Sequence, residues 1–299
     1  VENLFRSGSF EEYAKAVCPK EQQHLDPFQY NFILQIPGQT VALHLDAPYY
    51  TRADRWTFPQ WLLVAMTFSG LFQEEFIHQV QVVAYLHEWD PAGRAGDFVW
   101  YDENASGFGR PDTPLKVAPP NPRAGTAVDG SKLVHAAMAY MPEVSVPQMN
   151  PDLGHVLQYL GEVEGDGEQW ELRDETGRTL GRYTTDDLRI SVVYRARCFA
   201  DAHGAEGYKA RGFGQGRGGR KEEDQMGLDE VLGVFAQELA TRGVVASAEA
   251  ALGMDRLQLA LLIMDTFIKY PFPNAAVPVN YCALGKLAPE LGPVLGLVC

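Results

Sequence analysis

Cysteine is scarce in this chain and shows no pairing pattern. The four residues Cys18, Cys198, Cys282 and Cys299 include no CxxC pair. That spacing offers no structural zinc site and no disulfide framework, and it fits free thiols in a cytoplasmic or other reducing intracellular compartment. Positive charge is short as well. A net charge of −14 argues against nucleic-acid partners, because phosphate-backbone binding needs a basic surface that releases counterions. The one basic concentration, Lys209 to Lys221, is rich in glycine and reads as a mobile loop. Long apolar runs are missing. The longest apolar stretch without a charge, Trp56 to Gln73, is broken by Thr57, Pro59, Gln60, Thr67, Ser69 and Gly70 and falls short of a membrane span. The first residues lack the basic-then-apolar layout of a signal peptide. No GxxxxGK[ST], GxSxG or HExxH occurs, which removes the common P-loop, hydrolase and zincin signatures.

What remains is a globular composition, with 46% hydrophobic and 21% charged residues in 299. The texture changes three times along it. Phe10 to Val17 is amphipathic and predicts a short helix capped by Ser9 with Glu12 in the capping box. From Phe28 the chain turns β-rich. Strands are expected at Gln29 to Ile36 and Thr40 to Leu45 around a Pro37-Gly38 turn, with helical spacing at Phe58 to Phe72 and a strand at His78 to Trp89. Asp90 to Ala124 is dense in proline, glycine and charge and reads as a long loop with one short strand, Phe98 to Tyr101. Gly125 to Val128 and Lys132 to Met141 then flank Asp129-Gly130 as a hairpin. Three further strands cover Val156 to Glu162, Gln169 to Arg173 and Thr179 to Tyr183, and the strongest strand pattern of all lies in Leu188 to Phe199 (LRISVVYRARCF). Helical spacing returns at Leu228 to Thr241, Ser247 to Leu252 and Asp255 to Tyr270, and a coil tail follows from Pro271. Strands that do not alternate with helices disfavour a parallel α/β fold. The expected architecture is a mainly β core with helical supports and a helical C-terminal region. Its divisions are a core over 1–203, a glycine-rich mobile loop over 204–226 and a helical extension over 227–299.

The chemistry sits on the strands. His44 and Asp46 stand two apart, so a strand directs both to one side, where they can share an ion. Two imidazoles and one carboxylate on one face form the facial triad of non-haem Fe(II) oxygenases, with open positions for other ligands. Taken alone, HxD is equally an ordinary strand-end histidine beside a turn-forming aspartate. His135, among apolar neighbours, is the favoured second imidazole because it follows the expected hairpin, and His155 is the alternative. His87 reads as half-buried strand structure, His24 and His78 as surface. Arg189 and Ser191 share one face of their strand and together suit a dicarboxylate, the guanidinium forking to it and the hydroxyl adding a hydrogen bond. Trp56 and Trp61 read as core. Tyr49 and Tyr50 also read as core by default, though they and Arg52 follow HxD closely enough to reach a substrate beside it.

The order HxD, distal His, then RxS, with Pro37-Gly38 ahead of His44, resembles the Fe(II)/2-oxoglutarate-dependent oxygenase superfamily, nearer its prolyl-hydroxylase-like and nucleic-acid-demethylase-like branches than the cupins. The likeness covers roughly Gln29 to Phe199. It implies a double-stranded β-helix (jelly-roll) core, with His44, Asp46 and His135 as iron ligands. Arg189 and Ser191 then correspond to the anchor for the 2-oxoglutarate C5 carboxylate, and Gln35 to a position where relatives often carry a co-substrate-touching tyrosine. The implied cofactors are Fe(II), 2-oxoglutarate and O₂, with ascorbate as a further reductant. The implied activity is hydroxylation, or another oxidation, of an unactivated C–H bond in a small molecule or amino-acid side chain, releasing succinate and CO₂. Two other readings compete: a β-barrel binding protein that has lost the metal, and an iron oxidase using a reductant such as ascorbate alone. One departure from the family is plain. The 53 residues between His135 and Arg189 far exceed the usual short connection and call for an inserted hairpin, Gln169 to Tyr183. That insertion and Asp90 to Ala124 are the expected lids.

Overall fold

The computed structural model describes residues 8–88, 95–101, 115–144, 147, 153–213 and 221–268. It opens with helix α1 (Gly8–Val17), which starts before the expected cap and so contains Ser9. Then come β1 (His24–Gln35), β2 (Val41–His44), β3 (Tyr49–Tyr50), α2 (Gln60–Ser69), β4 (Phe76–Ile77), β5 (Gln79–Tyr85), β6 (Phe98–Tyr101), β7 (Leu115–Ala118), β8 (Gly125–Val128) and β9 (His135–Ala137). The second half holds β10 (Val156–Val163), β11 (Gly167–Arg173), β12 (Thr179–Thr184), β13 (Arg189–Phe199), α3 (Ala202–Ala210), α4 (Leu228–Thr241), α5 (Ala248–Leu252) and α6 (Arg256–Phe267). The chain is mainly β with helical supports, as the texture implied.

Two four-stranded antiparallel sheets organise it. One runs β1-β13-β5-β8 and the other β2-β9-β6-β7, with β10-β11-β12 as a separate three-stranded sheet and β3-β4 as a small pair. β13 is the central feature of the first sheet, and its sequence explains why. On one face it carries Arg189, Ser191, Val193, Arg195 and Arg197; on the other, Ile190, Val192, Tyr194, Ala196 and Cys198. Val192, Tyr194, Ala196 and Cys198 of the second set pack under α1 with Val80, Val82 and Ala14 as a closed apolar cluster. The first set faces a pocket between the sheets, described below. A strand buried on both faces reads as continuous rather than alternating, which is why Leu188 to Phe199 stands out.

The largest apolar cluster lies elsewhere. Trp61 to Met66 of α2 are all buried and pack with Val231, Phe235 and Leu239 of α4 and with Ile263 and Phe267 of α6. The helical C-terminal region is therefore bound to the core through α2, and the stretch from Pro271 lies outside the described residues.

Several expectations need correction. Cys18 and Cys198 form a disulfide, tying α1 to β13 across 180 residues, so the free-thiol expectation fails for this pair. Cys282 and Cys299 lie outside the described residues. Asp129-Gly130 does not close a hairpin, because β8 pairs with β5 in one sheet and β9 with β2 and β6 in the other. The segment is a crossover between sheets. The expected strand over Lys132 to Met141 shrinks to three residues, and that over His78 to Trp89 ends at Tyr85. Within Asp90 to Ala124, β7 as well as β6 is a sheet strand. The 204–226 stretch begins as helix, since α3 runs to Ala210. Trp56 is 41% exposed instead of core and Arg52 turns to Glu230, whereas Tyr50 is buried in keeping with its core reading, its hydroxyl 2.8 Å from that of Thr67. Among the described residues, no helix is long and apolar enough to cross a membrane.

Candidate metal centre

His44 ends β2, Asp46 lies just beyond it, and His135 begins β9, directly opposite His44 in the ladder. The register brings the two imidazoles together, with ring centroids 4.3 Å apart. His44 Nε2 lies 3.7 Å from Asp46 Oδ1. One ligand atom from each of the three residues falls within 4.8 Å of the others, and no other such group of histidine, cysteine or acidic side chains occurs among the described residues. His155 stands just before β10, outside this group, so the structure brings together His135 and not the alternative.

Two of the three side chains, His135 and Asp46, are held from behind. His135 is 3% exposed, and its Nδ1 donates to the Leu133 carbonyl at 2.7 Å, which leaves Nε2 with its lone pair. Gln81 Nε2 approaches that nitrogen at 3.4 Å. Asp46 receives a hydrogen bond from Arg195 Nη2 at 2.8 Å, and its backbone N–H donates to the Gly130 carbonyl at 2.8 Å. Arg195 in turn donates through Nε to Gln81 Oε1 and through Nη1 to Gln29 Oε1 at 3.1 Å. Gln81 thereby links Arg195, which orients the carboxylate, to the imidazole of His135. Gly130 closes the site from the crossover. A Cβ there would stand 2.2 Å from Asp46 Oδ2 and 3.3 Å from His135 Cε1, so only glycine fits beside the carboxylate.

Protonation suits cation binding. Burial pushes Asp46 up, but the His44 hydrogen bond and the charges of Arg195 and His135 outweigh it and hold the carboxyl at about 2. Burial pulls His135 down to about 4 despite the attraction of Asp46. At neutral pH the carboxylate is ionised and the imidazole neutral, the states a cation needs.

Two pockets flank the three residues. The first, with about 500 Å³ of atom-free space including its mouth, is walled by Ile33, Val83 and Val193, with His44 and His135 on one side and Arg189, Ser191 and Gln35 on another. The second lies on the other side of Asp46 and is lined by Gln29, Asn31, Gln79, Tyr49 and Arg55. Arg195 borders both.

Arg189 is 4% exposed, and every hydrogen bond it makes goes to a neutral acceptor. Nη1 donates to Gln35 Oε1, Nε to the Ala95 carbonyl at 3.3 Å and Nη2 to the Gly96 carbonyl at 3.3 Å. The Tyr85 ring lies 5.3 Å from the guanidinium carbon. Among the described residues no carboxylate comes within ion-pair distance of it. Burial accordingly pulls its pKa down. Ser191, 1% exposed, sits two residues along on the same face. His87 lies past the end of β5, with Nδ1 3.0 Å from the Ile190 carbonyl, and takes no part in the three-residue group. His78 is partly buried and sits 3.2 Å from Asp129 Oδ2, and His203 belongs to α3.

Of the residues singled out from the sequence, His44, Asp46 and His135 form the three-residue group, and Gln35, Arg189 and Ser191 line the first pocket with the two histidines. Sequence reasoning missed the roles of Arg195, Gln81 and Gly130. For Arg195 a signal existed, since its even spacing from Arg189 places it on the same face. No protein-family model matches the chain, and no curated protein or solved structure matches it either.

Proposed function

We propose that the two four-stranded sheets form a double-stranded β-helix and that the chain is an Fe(II)- and 2-oxoglutarate-dependent dioxygenase. The pairing supports the fold. With β3, β4 and the β10–β12 sheet set aside, the eight remaining strands pair first with last, second with seventh, third with sixth and fourth with fifth. That nesting is a long antiparallel ribbon folded on itself and rolled into two sheets, which is how a jelly roll is made.

One observation carries the activity: a buried guanidinium without a carboxylate partner in the same pocket as two imidazoles and beside a carboxylate. A buried cation without an ion pair is costly even with the more distant attraction of Asp97, and an anionic ligand in the first pocket relieves that cost. The donor set of two imidazoles and one carboxylate fits Fe(II) and leaves positions open. His44, Asp46 and His135 would hold the metal. When bound, Fe(II) with 2-oxoglutarate and O₂ supplies the oxidation of an unactivated C–H bond, with release of succinate and CO₂. The chain's own residues do the rest. Arg189 forks to the far carboxylate of the co-substrate, Ser191 adds a hydrogen bond, and Gln35 holds the guanidinium in place. Ile33, Val83 and Val193 exclude water between the two ends, and Arg195 keeps Asp46 aimed.

Mixing the chain with Fe(II) and 2-oxoglutarate under anaerobic conditions tests this reading through the weak visible charge-transfer band of the chelate. The band is expected in the wild type and in His155→Ala, and it should vanish in Asp46→Ala and His135→Ala. No band in the wild type rejects the reading.

A further inference from the structure

The second pocket beside Asp46 is lined by polar groups arranged by type, with Asn31 and Arg55 exposed to solvent. Gln79 is 3% exposed, and its Nε2 donates to the Ala47 carbonyl at 3.0 Å, which fixes the amide and leaves Oε1 as an acceptor. Gln29 is fixed the opposite way. Its Oε1 accepts from Arg195, so its NH₂ group remains as a donor. Asn31 makes no side-chain hydrogen bond among the described residues. Arg55 makes no ion pair among them and lies 4.8 Å from the Trp56 ring centroid. Phe28 and Tyr49 form an aromatic wall, their centroids 5.3 Å apart. Behind that wall Arg197 stacks against both rings, at 4.9 and 5.2 Å, and is neutralised by Asp26.

The electrostatics separate the arginines. Arg195 is paired with Asp46, and Arg197 shares Asp26 with Lys209, whereas Arg55 is exposed and makes no ion pair among the described residues. All three act electrostatically on the Tyr49 hydroxyl: burial pushes that group up, Arg197, Arg55 and Arg195 pull it down, and Asp54 opposes them. In a chain of net charge −14, a pocket with unsatisfied positive charge stands out. It offers two donors suited to a carboxylate, Arg55 and the Gln29 amide, and acceptors suited to an ammonium, Gln79 Oε1 and the Asn31 carbonyl oxygen. Asp46 joins this pocket to the candidate metal centre.

We propose that the pocket lined by Gln29, Asn31, Tyr49, Arg55 and Gln79 is the subsite for the primary substrate, and that this substrate is an α-amino acid with free carboxylate and free ammonium groups. The inference rests on the oxygenase reading for its consequence, oxidation of the bound amino acid, but the binding itself does not. The carboxylate meets Arg55, the ammonium meets the fixed Gln79 oxygen, and the side chain extends toward His44 and Asp46. The co-substrate occupies the other pocket, so the two ligands approach the centre from opposite sides of Arg195.

The test is calorimetric titration of the twenty standard L-amino acids, and of the α-carboxamide and N-acetyl form of any that binds, into the full chain with and without Zn(II). At least one free amino acid should bind, with the amide and the N-acetyl form each weaker by tenfold or more. Arg55→Gln, an exposed site that does not threaten folding, should reduce the free amino acid to the affinity of its amide, and Arg55→Lys should recover part of the difference. If no member of the panel binds, or if Arg55→Gln leaves the preference for free carboxylate intact, the proposal is overturned. Titration of 2-oxoglutarate into the same preparations separates the two readings. Co-substrate binding without any amino-acid binding rejects the subsite alone. Amino-acid binding without metal or 2-oxoglutarate binding rejects the oxygenase and leaves the subsite standing.

Discussion

Gly130→Ala is the sharpest test of how the centre is built, because it adds one methyl group far from any exposed surface change. The added Cβ would sit 2.2 Å from Asp46 Oδ2, 3.0 Å from Cγ of the same carboxylate and 3.3 Å from His135 Cε1. The first distance is more than an ångström inside van der Waals contact. Asp46 cannot yield easily, since Arg195 holds Oδ1 from the opposite side and the Asp46 N–H is bonded to Gly130 itself. Either the carboxylate rotates away from the two imidazoles or the crossover moves out with its backbone bond. Overpacking of this kind costs about 1–3 kcal/mol of stability. In a chain of this size that lowers the melting temperature by only a few degrees. The metal should respond far more, because displacing a group that orients a ligand typically lowers metal affinity about 10- to 100-fold.

The assay is Fe(II) or Co(II) affinity by competition with a chromophoric chelator, alongside thermal unfolding of the metal-free chain. Gly233→Ala is the control. It lies inside α4 with nothing within 4 Å of an added Cβ, and there the change should stabilise by about 0.5–1 kcal/mol and leave metal affinity alone. Wild-type metal affinity in Gly130→Ala would refute the reasoning, since it would mean that Asp46 binds no metal or is not confined as described.

Arg195→Met removes the partner of Asp46 and the link to Gln81 together, so metal affinity should fall about tenfold or more in the same competition assay. Reduction of Cys18–Cys198, or Cys18→Ala, frees a loop of 180 residues and should cost roughly 2–5 kcal/mol in denaturant unfolding, with metal affinity in the native state unchanged. Asp26→Asn leaves Arg197, 1% exposed, without its countercharge and should destabilise by about 3–5 kcal/mol in the same unfolding experiment. His135 is held neutral down to about 4 in the metal-free fold but titrates near its ordinary value when unfolded, so the native state binds fewer protons there. Stability of the metal-free chain should therefore fall as pH drops from about 6.5 to 4, by on the order of 3 kcal/mol, and His135→Gln should flatten that slope.

The residues that proved legible are those whose positions follow from strand parity. His44 with Asp46 and Arg189 with Ser191 each stand two apart, and the pleat alone sets their common side. Arg195 obeys the same parity, but an arginine on a strand carries no sign of what it will meet, and its partner Asp46 lies 149 residues away. Gly130 was hidden by a sufficient local explanation. Asp-Gly accounts for a turn, and nothing local reveals that a carboxylate from another segment fills the space a Cβ would occupy. The same turn led to an expected hairpin, since a tight reversal does not say which sheet the next strand enters. His135 was thus favoured partly for a pairing the fold does not make, and it reaches the centre through pairing with His44 instead. The disulfide was beyond reach in principle, because connectivity cannot be read from the spacing of scattered cysteines.

The long connection between His135 and Arg189 shows how the fold accommodates what looked like its largest departure. Lengthening a loop costs entropy only logarithmically, so an insertion is tolerated when it brings its own order. This one does. β10, β11 and β12 make a three-stranded antiparallel sheet whose Leu172 is fully buried with Ile36 and Leu188, while Leu157, Trp170, Leu180 and Tyr183 pack around them. Ile36 and Leu188 are the chain neighbours of Gln35 and Arg189, and Ile190, which also joins the cluster, lies between Arg189 and Ser191. Their side chains point away from the pocket by the parity that points Gln35, Arg189 and Ser191 into it. Tyr140 adds a tie from the start of the connection, its hydroxyl donating to the Gln35 carbonyl at 2.8 Å and lying against the Asp187 carbonyl. The insertion was expected as a lid; its apolar side is instead packed on the outer face of the anchor strands. On the proposed reading Arg189 waits, buried, for a ligand's carboxylate, and that role needs strands that do not shift when the ligand is absent. The inserted sheet supplies that rigidity from behind, where it does not obstruct the pocket.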